Sequence, residues 1–204
     1  MQTKTYTELF ALIQALCGVV FASIETPRIK ALINRRALRA YRSSNYWTRF
    51  LVIGQGRVVT SSVIPYSESG LSPIDTFLRV YKQAPYIASS VQEYDIMVTS
   101  SGATLVCGDL NPTEAFVTYK AQLVDTYGDG TGEVTTIPAE WYQYMAHGTY
   151  SDYLRAEGQQ EKAVIADQEA EMLLQDEMIR LDENHTSGLV SNRIFTNANM
   201  QMRY

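Results

Sequence analysis

Cysteine and histidine are scarce in this chain, two of each in 204 residues. Cys17 and Cys107 stand far apart and form no CxxC or Cys/His ligand spacing, so neither a disulfide framework nor a zinc site has support. A reducing compartment is the simplest setting. The longest apolar run, around Leu16 to Ile24, is too short to span a bilayer, and the N-terminus has neither the basic start nor the small-residue cleavage pattern of a secretion signal. Synthesis in the cytoplasm and no membrane partner are expected.

Catalytic signatures are missing too. No GxSxG occurs, no Ser/His/Asp arrangement is suggested, and neither GxxxxGK[ST] nor GxGxxG opens a helix. His147 falls in a helical stretch beside Gly148, and His185 ends another, where a cation suits the helix C-terminus. Asp125, Asp129 and Glu133 miss the EF-hand spacing, so the glycine-rich DTYGDGTGEV is read as a turn. Carboxylate pairs such as Glu169 and Glu171, or Asp176 and Glu177, read as the solvated face of a helix. No catalytic residue, metal or cofactor is expected, and the chain does not read as an enzyme.

What is present is the composition of a folded protein, 46% apolar and 19% charged, with enough length for one substantial core or a core carrying an insert. The net charge of -5 is unevenly spread. Thr26 to Ser67 carries eight basic residues (Arg28, Lys30, Arg35, Arg36, Arg39, Arg42, Arg49, Arg57) and no acidic one. Gln159 to His185 carries eight acidic residues against Lys162 and Arg180. Such blocks pair with each other, within or between subunits, or the basic one meets an outside anion.

Periodicity divides the chain. Leu9, Phe10, Leu12, Ile13 and Leu16 have helical spacing with Gly18 as a stop. Thr26-Pro27 then caps a second helix along Ile29, Leu32, Ile33, Arg36, Ala37, Ala40 and Tyr41, basic on its outer side. After Ser43-Ser44-Asn45 come short runs rich in β-branched and aromatic residues, separated by Gly54-Gln55-Gly56, Pro65 to Pro73, Ala84-Pro85, Ser100-Ser101-Gly102 and Asn111-Pro112. They predict an antiparallel β module of about five or six strands, with Gly54-Gln55-Gly56 as a hairpin turn. Ile137-Pro138 opens a third helix, and Gly158 separates it from a fourth. The reading is α+β: two N-terminal helices over 1–45 and two C-terminal helices over 125–185 forming a bundle, a β module inserted over 46–124, and an extended tail over 186–204.

The fourth helix has two apolar stripes. Ala163, Ala166, Ala170, Leu173, Leu174 and Leu181 gather on one side; Ile165, Met172 and Ile179, spaced by sevens, gather nearly opposite. One stripe suits the helix's own bundle and the other a second protein, so self-association is expected. The tail keeps Leu189, Val190, Ile194, Phe195, Met200, Met202 and Tyr204 among amides, the texture of a segment that orders by docking on another chain. Ile165, Met172, Ile179 and these tail residues are the candidate subunit or partner interface.

Arg28, Arg35, Arg36, Arg39 and Arg42 invite a second reading. With Tyr41, Tyr46 and Trp47 following, helix 27–42 offers phosphate contacts and stacking, although no nucleic-acid motif is present and the chain is acidic overall. These arginines are charge-pairing or DNA-facing candidates, with protein carboxylates the more economical partners.

TYTELFALIQALCG, TPRIKALINRRALRAYRSSNYWTRF, an insert containing PIDTFLRVY and FVTYKAQL, and IPAEWYQYMAHGTYSDYLRAEGQQEKAVIADQEAEMLLQDEMIRL together resemble the head-to-tail adaptor, or connector, proteins of tailed bacteriophages. The similarity runs over nearly the whole chain and rests on the order and texture of elements. It implies a structural virion protein of the neck, a helical bundle with a β insertion, assembled as a homo-oligomeric ring, typically of twelve copies. Such a ring docks beneath the portal protein, meets a tail or nozzle protein and extends the channel for genomic DNA. The tail would then reach into the portal. A DNA-binding protein, or a neighbouring neck or tail-completion protein, stays open beside this reading.

Overall fold

The structure is a computed structural model. It describes the chain except residues 1–2, 86, 88–90, 93, 100–101, 107–113, 124–125 and 202–204, and except the side chains of 91–92, 98–99, 102–103 and 183–201. The chain divides into two compact units, Met1–Ser44 with Asp125–Tyr204, and Asn45–Val124. The class is α+β, as expected.

The first unit is built on helices α1 (Tyr6–Cys17), α2 (Thr26–Ser43), α3 (Ala139–Ala156) and α4 (Gln160–Gln201). Thr5 caps α1 in a reciprocal box with Glu8, and Gly18 ends it in the left-handed conformation at φ 68°. Glu25, not Thr26, is the cap of α2, and no side chain closes it; the proline in its first turn supplies the preset φ instead. Helix α3 is central, with α1, α2 and α4 all packed on it. It therefore buries Trp141, Tyr144, Met145, Ala146 and Leu154 together with small and polar residues. Two strands outside the expected pattern complete the unit: β1 (Thr3–Thr5) pairs antiparallel with β9 (Thr136–Pro138), pinning the start of α1 beside that of α3.

Gly158, at φ 79°, turns the chain between α3 and α4. Contacts at His147–Glu169, Ser151–Ala163 and Arg155–Asp167 mark an antiparallel hairpin. The alanine stripe of α4 permits close approach, so that Ser151 Oγ donates to the Ala163 carbonyl at 2.8 Å. The backbone of α4 continues to Gln201, past the expected end at His185. An extended form is therefore not the form of 186–201, and His185 lies inside the helix. Extending a formed helix adds a hydrogen bond for each residue fixed, which lets it run through low-propensity Ser, Thr and Asn.

The second unit holds a four-stranded sheet in the order β2 (Leu51–Val58), β8 (Glu114–Ala121), β4 (Ile74–Tyr81), β5 (Val91–Gln92). A three-stranded sheet follows the order β3 (Val63–Pro65), β7 (Gly102–Val106), β6 (Asp95–Thr99). All pairs are antiparallel. Ile64 and Leu105 from one sheet join Phe77, Val80, Val117 and Tyr119 from the other in one core. Gly54-Gln55-Gly56 is not a hairpin turn but lies inside β2, where Gly54 at φ 63° sits in a register shift opposite β8. A Cβ there would come within 2.7 Å of the Pro85 ring. The turn that follows this strand is formed farther on, where Ser61 and Ser62 both take positive φ.

Candidate interaction surfaces

The basic and acidic blocks meet inside the first unit. Arg36 projects from the apolar side of α2 and is 3% exposed. Its Nε and Nη2 donate to the two carboxylate oxygens of Asp152 on α3, each at 2.8 Å. Nη2 also stands 2.8 Å from Asp167 of α4. Around this pair, Arg35 reaches Asp152 at 2.7 Å, Arg39 reaches Glu171 at 3.1 Å, and Arg155 reaches Asp167 at 2.8 Å. The network joins α2, α3 and α4 through charge-assisted, partly bidentate bonds.

Burial pushes the Asp152 carboxyl up, yet the bonds from Arg36 and Arg35 outweigh it and hold the group below its ordinary value. Asp167 behaves alike, with Arg155 and Arg36 overcoming its burial. Burial lowers the Arg36 guanidinium, but its bonds to Asp152 raise it further still, so it stays charged. A buried ionic cluster of this kind fixes which helices meet and in what register more than it adds net stability.

Arg28 and Arg42 are exposed and enter no ion pair among the described residues. Of the five candidate arginines, three are thus paired with carboxylates of their own chain. Asp152 and Arg155 were not singled out from the sequence, nor were Asp167 and Glu171 as partners. One signal for Arg36 was available, because it occupies an apolar position in the α2 period.

On α4, Ala163, Ala166, Ala170, Leu174 and Leu181 are buried. The second stripe is open: Ile165 is 67% exposed, Met172 64% and Ile179 56%. Val164 is exposed beside it, and a shallow depression of about 390 Å3 runs along Val164, Gln168, Met172 and Gln175 to Arg155. Glu169 and Asp176 flank the stripe one position past Gln168 and Gln175. Of the tail candidates, Leu189, Val190, Ile194, Phe195 and Met200 lie in the helical backbone of α4 with side chains outside the described residues; Met202 and Tyr204 lie wholly outside them.

The glycine-rich turn closes on Glu133, which accepts from Gly130 N at 2.8 Å and pairs with Lys30 of α2. A Cβ at Gly128 would overlap its carboxylate. In the second unit, buried Arg57 donates to the Ser72 carbonyl at 2.7 Å and to the Tyr119 hydroxyl at 2.9 Å, with its guanidinium 4.9 Å from the Tyr119 ring centre. Among the described residues no cluster suited to a metal ion occurs, and no helix is long and apolar enough to cross a membrane. Compared with family models and with curated proteins, the chain matches none.

Proposed function

We propose that this chain is a structural virion protein of a phage neck, an adaptor that assembles as a ring on the portal and lengthens the DNA channel. The observation that carries the proposal is the open stripe of Ile165, Met172 and Ile179 on a helix whose other stripe is already buried. Isolated exposed apolar residues are ordinary, but three spaced by sevens on one helix face suit a partner surface. The order of elements resembling head-to-tail adaptors supplies the kind of partner: further copies, the portal, and a tail or nozzle protein.

The chemistry required is binding, with no reaction step assigned to any residue. DNA would pass through the ring rather than be held by helix 27–42, since Arg35, Arg36 and Arg39 are occupied by Asp152, Asp167 and Glu171. Native mass spectrometry of the complex recovered from producing cells tests this. A ring-sized assembly with a larger partner ring is expected, and deletion of Leu189 to Tyr204 is expected to abolish attachment to the portal. A lone monomer with no partner would overturn the proposal.

A further inference from the structure

The exposed stripe of α4, Ile165, Met172 and Ile179, has flanks with an acidic excess: Glu161, Glu169, Asp176 and Asp182 against Lys162 and Arg180, all exposed. Laid parallel on its own copy, such a stripe would bring mostly like charges together, which is unfavourable. A surface with apolar knobs and a cation suits it better.

The first unit offers one such surface. Among its described residues, the large apolar side chains exposed outside α4 are Val19, Val20, Ile24 and Leu38, and three of these four sit in the corner between α1 and α2. Val20 is 87% exposed and Ile24 86%. Phe21 anchors that corner on Phe10 and Tyr153, with ring centres 5.7 and 5.5 Å away. Glu25 has helical φ and ψ, so Ile24 and Arg28, four residues apart, stand on one side. Arg28 is exposed and has no ion pair among the described residues.

The two surfaces face different ways. Tyr153 and Arg155 are two residues apart on α3 and so point about 200° apart around its axis. Tyr153 meets the corner through Phe21, while Arg155 meets α4 through Asp167. The corner and α4 therefore lie on opposite flanks of the central helix, and the open stripe points away from α3.

From this placement we infer that the α1–α2 corner of one copy seats Val20 and Ile24 on the Ile165–Met172 stripe and Val164 depression of the next, with Arg28 facing Asp176. A contact between two different patches on opposite flanks is heterologous, and repetition of it closes a ring when the rotation allows. The inference rests on the ring reading and specifies which surfaces form it.

Cross-linking tests it on the full chain with Cys17→Ser and Cys107→Ser. Ile24→Cys and Met172→Cys are placed on separate chains, co-produced, and treated with a short bismaleimide. The expected product is a covalent dimer that needs both variants, and a ladder when both cysteines share a chain. Dimers from Met172→Cys alone would mean self-pairing of the stripe and overturn the inference. Ring-sized assemblies without either cross-link would overturn it while leaving the ring reading intact. Absence of both rings and cross-links would overturn both. Arg28→Glu is expected to weaken self-association about fivefold, and addition of Asp176→Arg to restore it; an unchanged affinity in Arg28→Glu would remove the assigned charge pair.

Discussion

Gly148 of α3 and Arg36 of α2 occupy one space: a Cβ on Gly148 would stand 2.9 Å from Arg36 Cδ and 3.0 Å from Nε. The glycine leaves the passage through which the buried guanidinium reaches Asp152. Arg36 cannot yield easily, being held by both carboxylate oxygens of Asp152 and by Asp167.

Gly148→Ala is therefore expected to destabilise the first unit. In an open helix the change would stabilise by about 1 kcal/mol; here overpacking, at a cost of about 1–3 kcal/mol, is expected to outweigh that gain. Urea denaturation measures the difference, and a gain in stability would show that Arg36 has another place to go.

Asp152→Asn leaves Arg36 buried without its main counter-charge, with an expected loss of about 3–5 kcal/mol near neutral pH. The folded Asp152 and Asp167 carboxyls titrate below their ordinary values. Their contribution is complete above the unfolded range, about pH 4, and is lost as pH falls through the depressed folded values. The wild-type protein should lose stability on acidification below about pH 4, and Asp152→Asn should flatten that limb. An equally steep acid limb in the variant would assign it to other carboxylates.

Arg36 and Arg39 should separate cleanly. Arg36→Ala leaves the buried Asp152 carboxylate only the half-exposed Arg35 and Arg155 and is expected to cost about 3 kcal/mol, whereas Arg39→Ala removes an exposed pair with Glu171 and should cost no more than about 1 kcal/mol. Because Arg35 and Arg39 already pair with Asp152 and Glu171, reversing both to Glu should leave retention of duplex DNA at low salt unchanged. A marked drop would favour the DNA-binding reading of helix 27–42.

Cys17 is half-buried, and burial pushes its thiol up to about 11. In Cys107→Ser protein its reaction with a thiol reagent at pH 8 should be slower than in urea and should accelerate as pH approaches 11, since the thiolate is the nucleophile. Equal rates folded and unfolded would place the thiol in water.

Much of the helical unit was legible because its signals are local. Gly18, Pro27, Pro138 and Gly158 punctuate it, and the two stripes of α4 follow from spacing alone. The change of period after Asn45 likewise reported a real change of structure. What stayed hidden was long-range. The β1–β9 pair joins three-residue strands too short to show a period, and Gly54 reads equally as a turn or a bulge until Thr118 and Pro85 are brought beside it. Arg36 was visible at an apolar position of α2, but its partners lie on other helices, and charge blocks alone do not say which carboxylate meets which arginine. The tail's apolar residues among amides show no helical period, so the sequence does not reveal that α4, once formed, continues through them to Gln201.

Arg36 and Asp152 are 116 residues apart in the chain, and β1 pairs with residues just ahead of α3. During synthesis, α1 and α2 emerge with no partner helix, and the whole of residues 45–124 is made before Asp152 exists. The inserted unit is free to complete its sheets first, while the basic α2 waits for α3 and α4 to be translated. The bundle must then close a long loop late, an entropic cost that grows only slowly with the length enclosed. The insert's size therefore adds little to that cost, and the basic α2 stays without its acidic partners until the second half of the chain has been made.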